Sequence, residues 1–185
     1  MKIERLAIPE VLLLEPKRFG DERGFFSEVW KRKPLADLGV DVDFVQDNHS
    51  LSAERGVVRG LHYQRAPSAQ SKLIRVVRGA ILDVAVDVRA GSPTFGRHVS
   101  AVLSAANWRQ VYVPRGFAHG FCTLEPNTEV IYKVDAYYDP AADAGILWND
   151  PALGIDWPLD AENAILSAKD RIAPRLADIP PPFTY

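Results

Sequence analysis

Two of the four histidines stand in segments whose make-up invites chemistry. His62 lies in Val58-Arg59-Gly60-Leu61-His62-Tyr63-Gln64 and His119 in Pro114-Arg115-Gly116-Phe117-Ala118-His119-Gly120. An imidazole with its ordinary pKa of about 6.5 accepts a proton at neutral pH without being charged beforehand. If the first segment is a strand, His62 and Gln64 share one of its faces, a spacing that also serves metal ligation. The second donor there is an amide, the strand adds no carboxylate, and one imidazole holds a metal weakly. Taken alone, the two histidines are compatible with a base, a weak ligand set or hydrogen-bonded core residues. The single cysteine, Cys122, sits in the apolar stretch Gly120-Phe121-Cys122-Thr123-Leu124 and reads as a packing residue rather than a nucleophile. Neither a G-x-G-x-x-G fingerprint nor a G-x-x-x-x-G-K-[ST] loop occurs.

The elements that must position these residues are mainly β. Short runs rich in Val, Ile, Phe and Tyr are separated by Gly, Pro, Asn and Asp, and no long stretch keeps an apolar period of about 3.6. The clearest hairpin is expected at residues 72–88, punctuated by Arg78-Gly79. Its second arm alternates Leu82, Val84, Val86 and Val88 against Ile81, Asp83, Ala85 and Asp87, one face aliphatic and the other bearing carboxylates. Further strands are expected at residues 24–29, 57–64, 98–103, 110–113, 119–124 and 128–136, a density that suggests a barrel or sandwich. Short helices are expected at residues 33–38, 104–107 and 161–168, and the Pro180-Pro181-Pro182 tail excludes a helix interior. The chain of 185 residues reads as one domain, residues 1–185, with an extended N-terminal arm and a C-terminal helical, proline-rich tail.

The spacing P-x-G-x-x-H at Pro114 to His119 resembles the second cupin motif, in which the histidine points into the mouth of a barrel. Metal-binding cupins supply H-x-H and a glutamate from the first motif, where this chain has His62-Tyr63-Gln64. A metal site is therefore not expected.

The blocks Asp21 to Glu28, Gln46-Asp47-Asn48, Gly56 to Gln64, Lys72 to Val77, Gly79 to Val84, Pro114 to Phe121, Tyr132-Lys133, Tyr137-Tyr138, Trp148 to Pro151 and Ser167 to Asp170 occur in order through almost the whole chain. Together they resemble the dTDP-4-dehydrorhamnose 3,5-epimerase family. The resemblance implies a cupin-type jelly-roll β-barrel with short peripheral helices, and inversion at C3 and C5 of a 4-keto-6-deoxyhexose carried on dTDP. It implies no cofactor: both carbons flank the C4 ketone, so removing either proton gives an enolate that needs only a base, an acid and a nearby cation. The matching residues are His62 as base, Asp170 as its partner, Lys72 beside the enolate oxygen and Tyr132 as acid on the other face. Nearby cations such as Lys72 are expected to lower the Tyr132 pKa. Asp83 is a second candidate to support His62, or else a solvated strand carboxylate. Arg23, Glu28, Gln46, Asn48, Arg59, Lys72, His119, Tyr138, Asp143 and Lys169 match substrate-binding positions, with Tyr138 stacking on thymine. The family usually has glutamate where this chain has Asp143, which bears on the nucleotide contact. Phe19, Phe25 and Phe26 are read as packing, with lining of the cleft the alternative for one of them.

The resemblance further implies a homodimer in which the N-terminal segment helps complete the neighbouring site, so that Arg23 and Glu28 serve the partner's ligand. The competing readings are a mono-epimerase acting at C3 or C5 of a related sugar, a metal-dependent cupin enzyme, and a non-catalytic sugar-nucleotide binder. With 22 Lys and Arg against 24 Asp and Glu, the charge gives no reason to expect nucleic acid or an anionic membrane as partner. The apolar run at residues 11–14 is too short to span a bilayer, and one cysteine fits a reducing compartment, so a soluble cytoplasmic protein is expected.

Overall fold

A computed structural model describes residues 1–185. Its strands are β1 (Lys2–Arg5), β2 (Leu12–Glu15), β3 (Arg18–Asp21), β4 (Gly24–Ser27), β5 (Gln46–Ser52), β6 (Val58–Gln64), β7 (Lys72–Arg78), β8 (Ala80–Asp87), β9 (Arg89–Ala90), β10 (His98–Ser104), β11 (Gln110–Val113), β12 (Phe117–Thr123), β13 (Thr128–Val134), β14 (Asp143–Gly145) and β15 (Phe183–Thr184). Two short helices, α1 (Arg32–Ala36) and α2 (Ala168–Arg171), lie at the periphery. A six-stranded sheet in the order β1-β2-β11-β7-β13-β5 and a five-stranded sheet in the order β10-β8-β12-β6-β14 form a mainly β, cupin-like jelly roll. No helix is long and apolar enough to cross a membrane.

Strand alternation explains where the apolar residues go. The inner faces of the two sheets meet in one cluster that includes Leu13 of β2, Ile74 and Val76 of β7, Ile81 and Ala85 of β8, Val111 of β11 and Phe121 of β12. Val84, Val86 and Val88 point the other way and pack beneath Leu153 and Leu176 of the C-terminal segment. Leu12 and Leu14 are covered by Leu35 of α1 together with Val42. The unbroken run Val11 to Leu14 thus serves two apolar layers, and each fully buried aliphatic side chain contributes about 1.5–3 kcal/mol.

Three expectations are corrected. β7 and β8 do not form a hairpin: both edges of β7 are taken by β11 and β13, while β8 pairs with β10 and β12. Gly79, at φ 76°, turns the chain from one sheet into the other, a step that two adjacent apolar runs do not distinguish from a hairpin. Ser104 ends β10 and residues 105–107 are a turn, because Asn107 Oδ1 accepts from the Ser104 and Arg109 amides and Ser104 Oγ accepts from the Asn107 amide, replacing helical bonds. The helix expected at 161–168 shrinks to a 3-10 turn at Ala161–Asn163 and to α2. Between them, Ile165 bonds to Gly56 and Val58 and is drawn out beside the start of β6.

Candidate active site

His62 and His119 are direct cross-strand partners on β6 and β12, so their side chains leave the same face of the five-stranded sheet. The strands approach unusually closely there. A Cβ on Gly60 would lie 2.6 Å from Gly120 Cα, and a bulge follows between His119 and Phe121. Lys72 opens β7 and Tyr132 sits in β13, both in the six-stranded sheet. The four residues line a cavity of about 460 Å³, together with Arg59, Ser50 and Asp170. A second cavity of about 330 Å³ shares His62, Lys72 and Tyr132 and adds Gln46, Asn48, Tyr138 and Asp143. The cleft is two-lobed, with an imidazole from one sheet and an ammonium and a phenol from the other at its waist.

α2 supplies the histidine's partner. Ser167 caps the helix by accepting the Asp170 amide at 3.1 Å, which places the Asp170 carboxylate against His62 Nε2 at 2.5 Å. Burial would raise the Asp170 pKa. The bond and charge of His62, with bonds from Ser167 and the Gly60 amide, outweigh burial and hold it below the usual carboxylate range. An ionised Asp170 accepts the hydrogen bond of Nε2–H, which leaves Nδ1 with the free lone pair of the ring.

Asp83 does not support His62, and it is not solvated. It is 2% exposed on the inward face of β8, and its Oδ2 accepts from His119 Nε2 at 2.8 Å. Two His–Asp pairs therefore stand side by side, their histidines on the neighbouring strands β6 and β12. Lys72 donates to the His62 carbonyl at 3.4 Å. Its pKa is lowered to about 8, first by withdrawal from water and further by Lys169, while the charges of Asp83 and Asp143 partly restore it. Tyr132 also departs from expectation, since burial raises its pKa and the cation that opposes this is Arg59, not Lys72. Its hydroxyl is accordingly protonated at neutral pH.

The second lobe gathers the polar residues expected for nucleotide binding. Gln46 donates to Asn48 Oδ1 at 2.8 Å and accepts from the Tyr138 amide at 3.3 Å. The Tyr138 hydroxyl donates to Asp143 Oδ2 at 3.2 Å, and Lys169 pairs with the same carboxylate. Arg59 is braced by Ser52 Oγ and the Leu51 carbonyl. Arg23 and Glu28 are not brought to this cleft. Arg23 stands at the tip of the β3–β4 hairpin with its fork on Asp21, and Glu28 pairs with Lys31 just beyond β4. The hairpin's Phe19, Phe25 and Phe26 are 48%, 57% and 66% exposed, so none packs in the core, although Phe25 meets the Trp108 ring edge to face. Cys122 is fully buried, and burial pushes its thiol up to about 11.

No group of three His, Cys, Asp or Glu side chains comes together to hold a metal. The Gln64 amide is fully engaged, donating to the Ser68 and Tyr137 carbonyls and accepting from the Asp139 amide, which makes it a brace for the loops above the cleft. Two polar residues of the cleft were given no role by the sequence reading. Ser167 was legible as the start of the helix-capping pattern Ser167-Ala168-Lys169-Asp170. Ser50 carried no local signal; its Oγ is the one buried side-chain polar atom without a partner, and it lines the first lobe.

The sequence profile of the dTDP-4-dehydrorhamnose 3,5-epimerase family matches residues 5–178. This chain belongs to that family. It is 53% identical to the dTDP-4-dehydrorhamnose 3,5-epimerase of Sinorhizobium fredii over 189 aligned positions, covering 100% of this chain and 94% of the relative. A structure of the 3,5-epimerase from Bacillus anthracis with TDP and PPi bound superposes with a TM-score of 0.90 at 55% identity, covering 94% of this chain and 98% of the other. The dTDP-6-deoxy-D-glucose-3,5-epimerase of Legionella pneumophila, in complex with dTDP-4-keto-L-rhamnose, gives 0.94 at 46% identity over 100% and 98%. The chain is thus an isomerase of the 3,5-epimerase family. Where the family usually has glutamate, the shorter Asp143 still reaches both Tyr138 and Lys169.

Proposed function

We infer that the chain inverts C3 and C5 of dTDP-4-dehydro-6-deoxy-D-glucose to give dTDP-4-dehydro-L-rhamnose, with His62 as base and Tyr132 as acid. Nδ1 of His62 takes the proton from a carbon beside the C4 ketone, and the C–H electron pair passes into the enolate. Asp170 steadies the imidazolium. Lys72 offsets the charge on the enolate oxygen in a site partly closed to water. Tyr132 returns a proton from the opposite face, the enolate collapses to the ketone, and the configuration is inverted. The observation that carries this reading is that base and acid come from opposing sheets and line one cleft with Lys72. Inversion requires two faces, and a side-by-side acid and base would not supply them.

The diphosphate is read as lying against Arg59, and the thymine against Tyr138 beside Gln46, Asn48, Asp143 and Lys169. His119, held by Asp83, lies on the sugar side. Residues 1–185 act as one domain, and the functional unit is a homodimer in which the β3–β4 hairpin carries Arg23 and Glu28 to the neighbouring cleft. The exposure of its three phenylalanines supports that reading, because apolar patches of this kind mark contact surfaces.

An NMR time course with dTDP-4-dehydro-6-deoxy-D-glucose in deuterium oxide tests the assignment. Deuterium entering at both C3 and C5, abolished in His62→Ala, is the expected result. In Tyr132→Phe, inversion should fall by about 10²–10⁴-fold. Exchange at one carbon would make the protein a mono-epimerase, and no exchange despite binding would overturn the enzymatic reading for this substrate.

A further inference from the structure

The β3–β4 hairpin stands apart from both large sheets and is paired only with itself. Its side chains are mostly exposed, and Arg23 at its tip is 83% exposed. Such a ribbon does not hold a fixed direction by itself, since an isolated two-stranded hairpin is marginally stable in water. Something in the body of the protein must set its aim.

Trp108 is placed to do so. It lies in the turn between β10 and β11 and adopts a left-handed backbone conformation, φ 62°, which is costly for a bulky side chain and persists only where its surroundings enforce it. The indole meets the Phe25 ring edge to face at 5.0 Å and 85°. Its Nε1 donates to Ser27 Oγ at 3.2 Å. The Arg18 guanidinium lies 5.4 Å from the ring centroid, so β3 is touched as well as β4. On the body side, Arg75 of β7 lies 5.3 Å from the same ring. The Arg75 guanidinium makes no side-chain hydrogen bond or ion pair, and withdrawal from water lowers its pKa, so its contact with the indole face is a favourable one. The other tether, Gln110 Nε2 to the Val29 carbonyl at 3.0 Å, holds the chain just past Glu28, so Glu28 is held from both sides and Arg23 at the tip depends on Trp108.

We propose that Trp108 is a positioning residue that latches the β3–β4 hairpin to the body and so fixes where Arg23 and Glu28 present their charges to substrate. The inference rests on the reading that the hairpin reaches a neighbouring cleft. The latch acts on binding rather than on proton transfer, because Trp108 lines neither lobe of the cleft. A latched arm binds without first having to be ordered, and releasing it adds that ordering cost to every binding event.

The test is steady-state kinetics on full-length variants. Trp108→Gly removes the ring and tolerates the backbone conformation, Trp108→Phe keeps an edge contact but loses the donor, and Ser27→Ala removes only the acceptor. Trp108→Gly should raise KM by about tenfold with kcat within about twofold, and the two milder variants should raise it by about twofold to fivefold. Arg23→Ala with Glu28→Ala should raise KM by about 10–100-fold, and adding Trp108→Gly to that pair should change it by less than about twofold, because nothing is left for the latch to aim. Tryptic cleavage after Arg18 and Arg23 should quicken in Trp108→Gly by about tenfold. The latch is overturned if the Trp108 and Ser27 variants keep the native KM while the Arg23 and Glu28 pair loses it. If that pair itself leaves KM unchanged, the arm does not bind substrate, and both the arm reading and the latch fall.

Discussion

Lys72 divides two alkaline events that a buried site would otherwise merge. Its ordinary pKa of 10.5 is lowered to about 8, chiefly by withdrawal from water, whereas burial moves Tyr132 above its ordinary 10. If the ammonium is what steadies the enolate, kcat/KM follows its protonated fraction. That fraction is about nine-tenths at pH 7, half at pH 8 and one-tenth at pH 9, so activity falls about tenfold across those two units. An unshifted lysine would lose less than about a tenth of its charge over the same range. The sign for stability is opposite. A lysine whose pKa is lower in the folded protein than in the unfolded chain costs stability below about 8, and that cost vanishes as pH rises from about 8 to 10.5. Lys72 therefore predicts falling activity in a window where its own contribution to stability improves, which separates the limb from alkaline unfolding. The assay is a pH profile of kcat/KM from pH 6 to 10 for the native enzyme and for Lys72→Arg, with melting temperatures at each pH. Lys72→Arg turns over more slowly but keeps its charge, so its profile should be flat from pH 7 to 9. A flat native profile, or the same limb in Lys72→Arg, refutes the role given to Lys72.

Two further substitutions address the paired histidines. Asp170→Asn keeps the shape of the contact to His62 but removes the charge that fixes its tautomer and steadies imidazolium; kcat should fall by about 10²–10⁴-fold while circular dichroism stays native, and a loss below about threefold would deny the pair a catalytic part. Asp83→Asn removes a buried carboxylate that supports the charge of Lys72, so the alkaline limb should move below pH 8. Weakening its bond to His119 should cost about 1–3 kcal/mol in urea unfolding, and an unmoved limb would detach Asp83 from Lys72.

Much of this protein was decided by local residue order. The short β-branched and aromatic runs announce strands, and β11 coincides with its expected span because side-chain alternation is a property of a few neighbouring residues. The ordered blocks around His62, Lys72, Tyr132 and Asp170 carried the family and the proposed roles, and the cleft brings all four together. Tertiary structure decided what depends on partners distant in sequence. His62 meets Asp170 across 108 positions, with Ile165 bridged to Val57 at the start of the β6 segment just before α2 begins. The run at residues 72–88 looks the same whether its arms pair or part; only the competition of β11 and β13 for the edges of β7 sends them to different sheets. That parting also puts His62 and Tyr132 on opposite faces of one cleft. Asp83 reads as a surface carboxylate in any local window, and it becomes the buried partner of His119 because β12 pairs with β8. The direction of each pKa shift follows from the same cause, since burial and neighbouring charge belong to the assembled fold and are not properties of the residue alone.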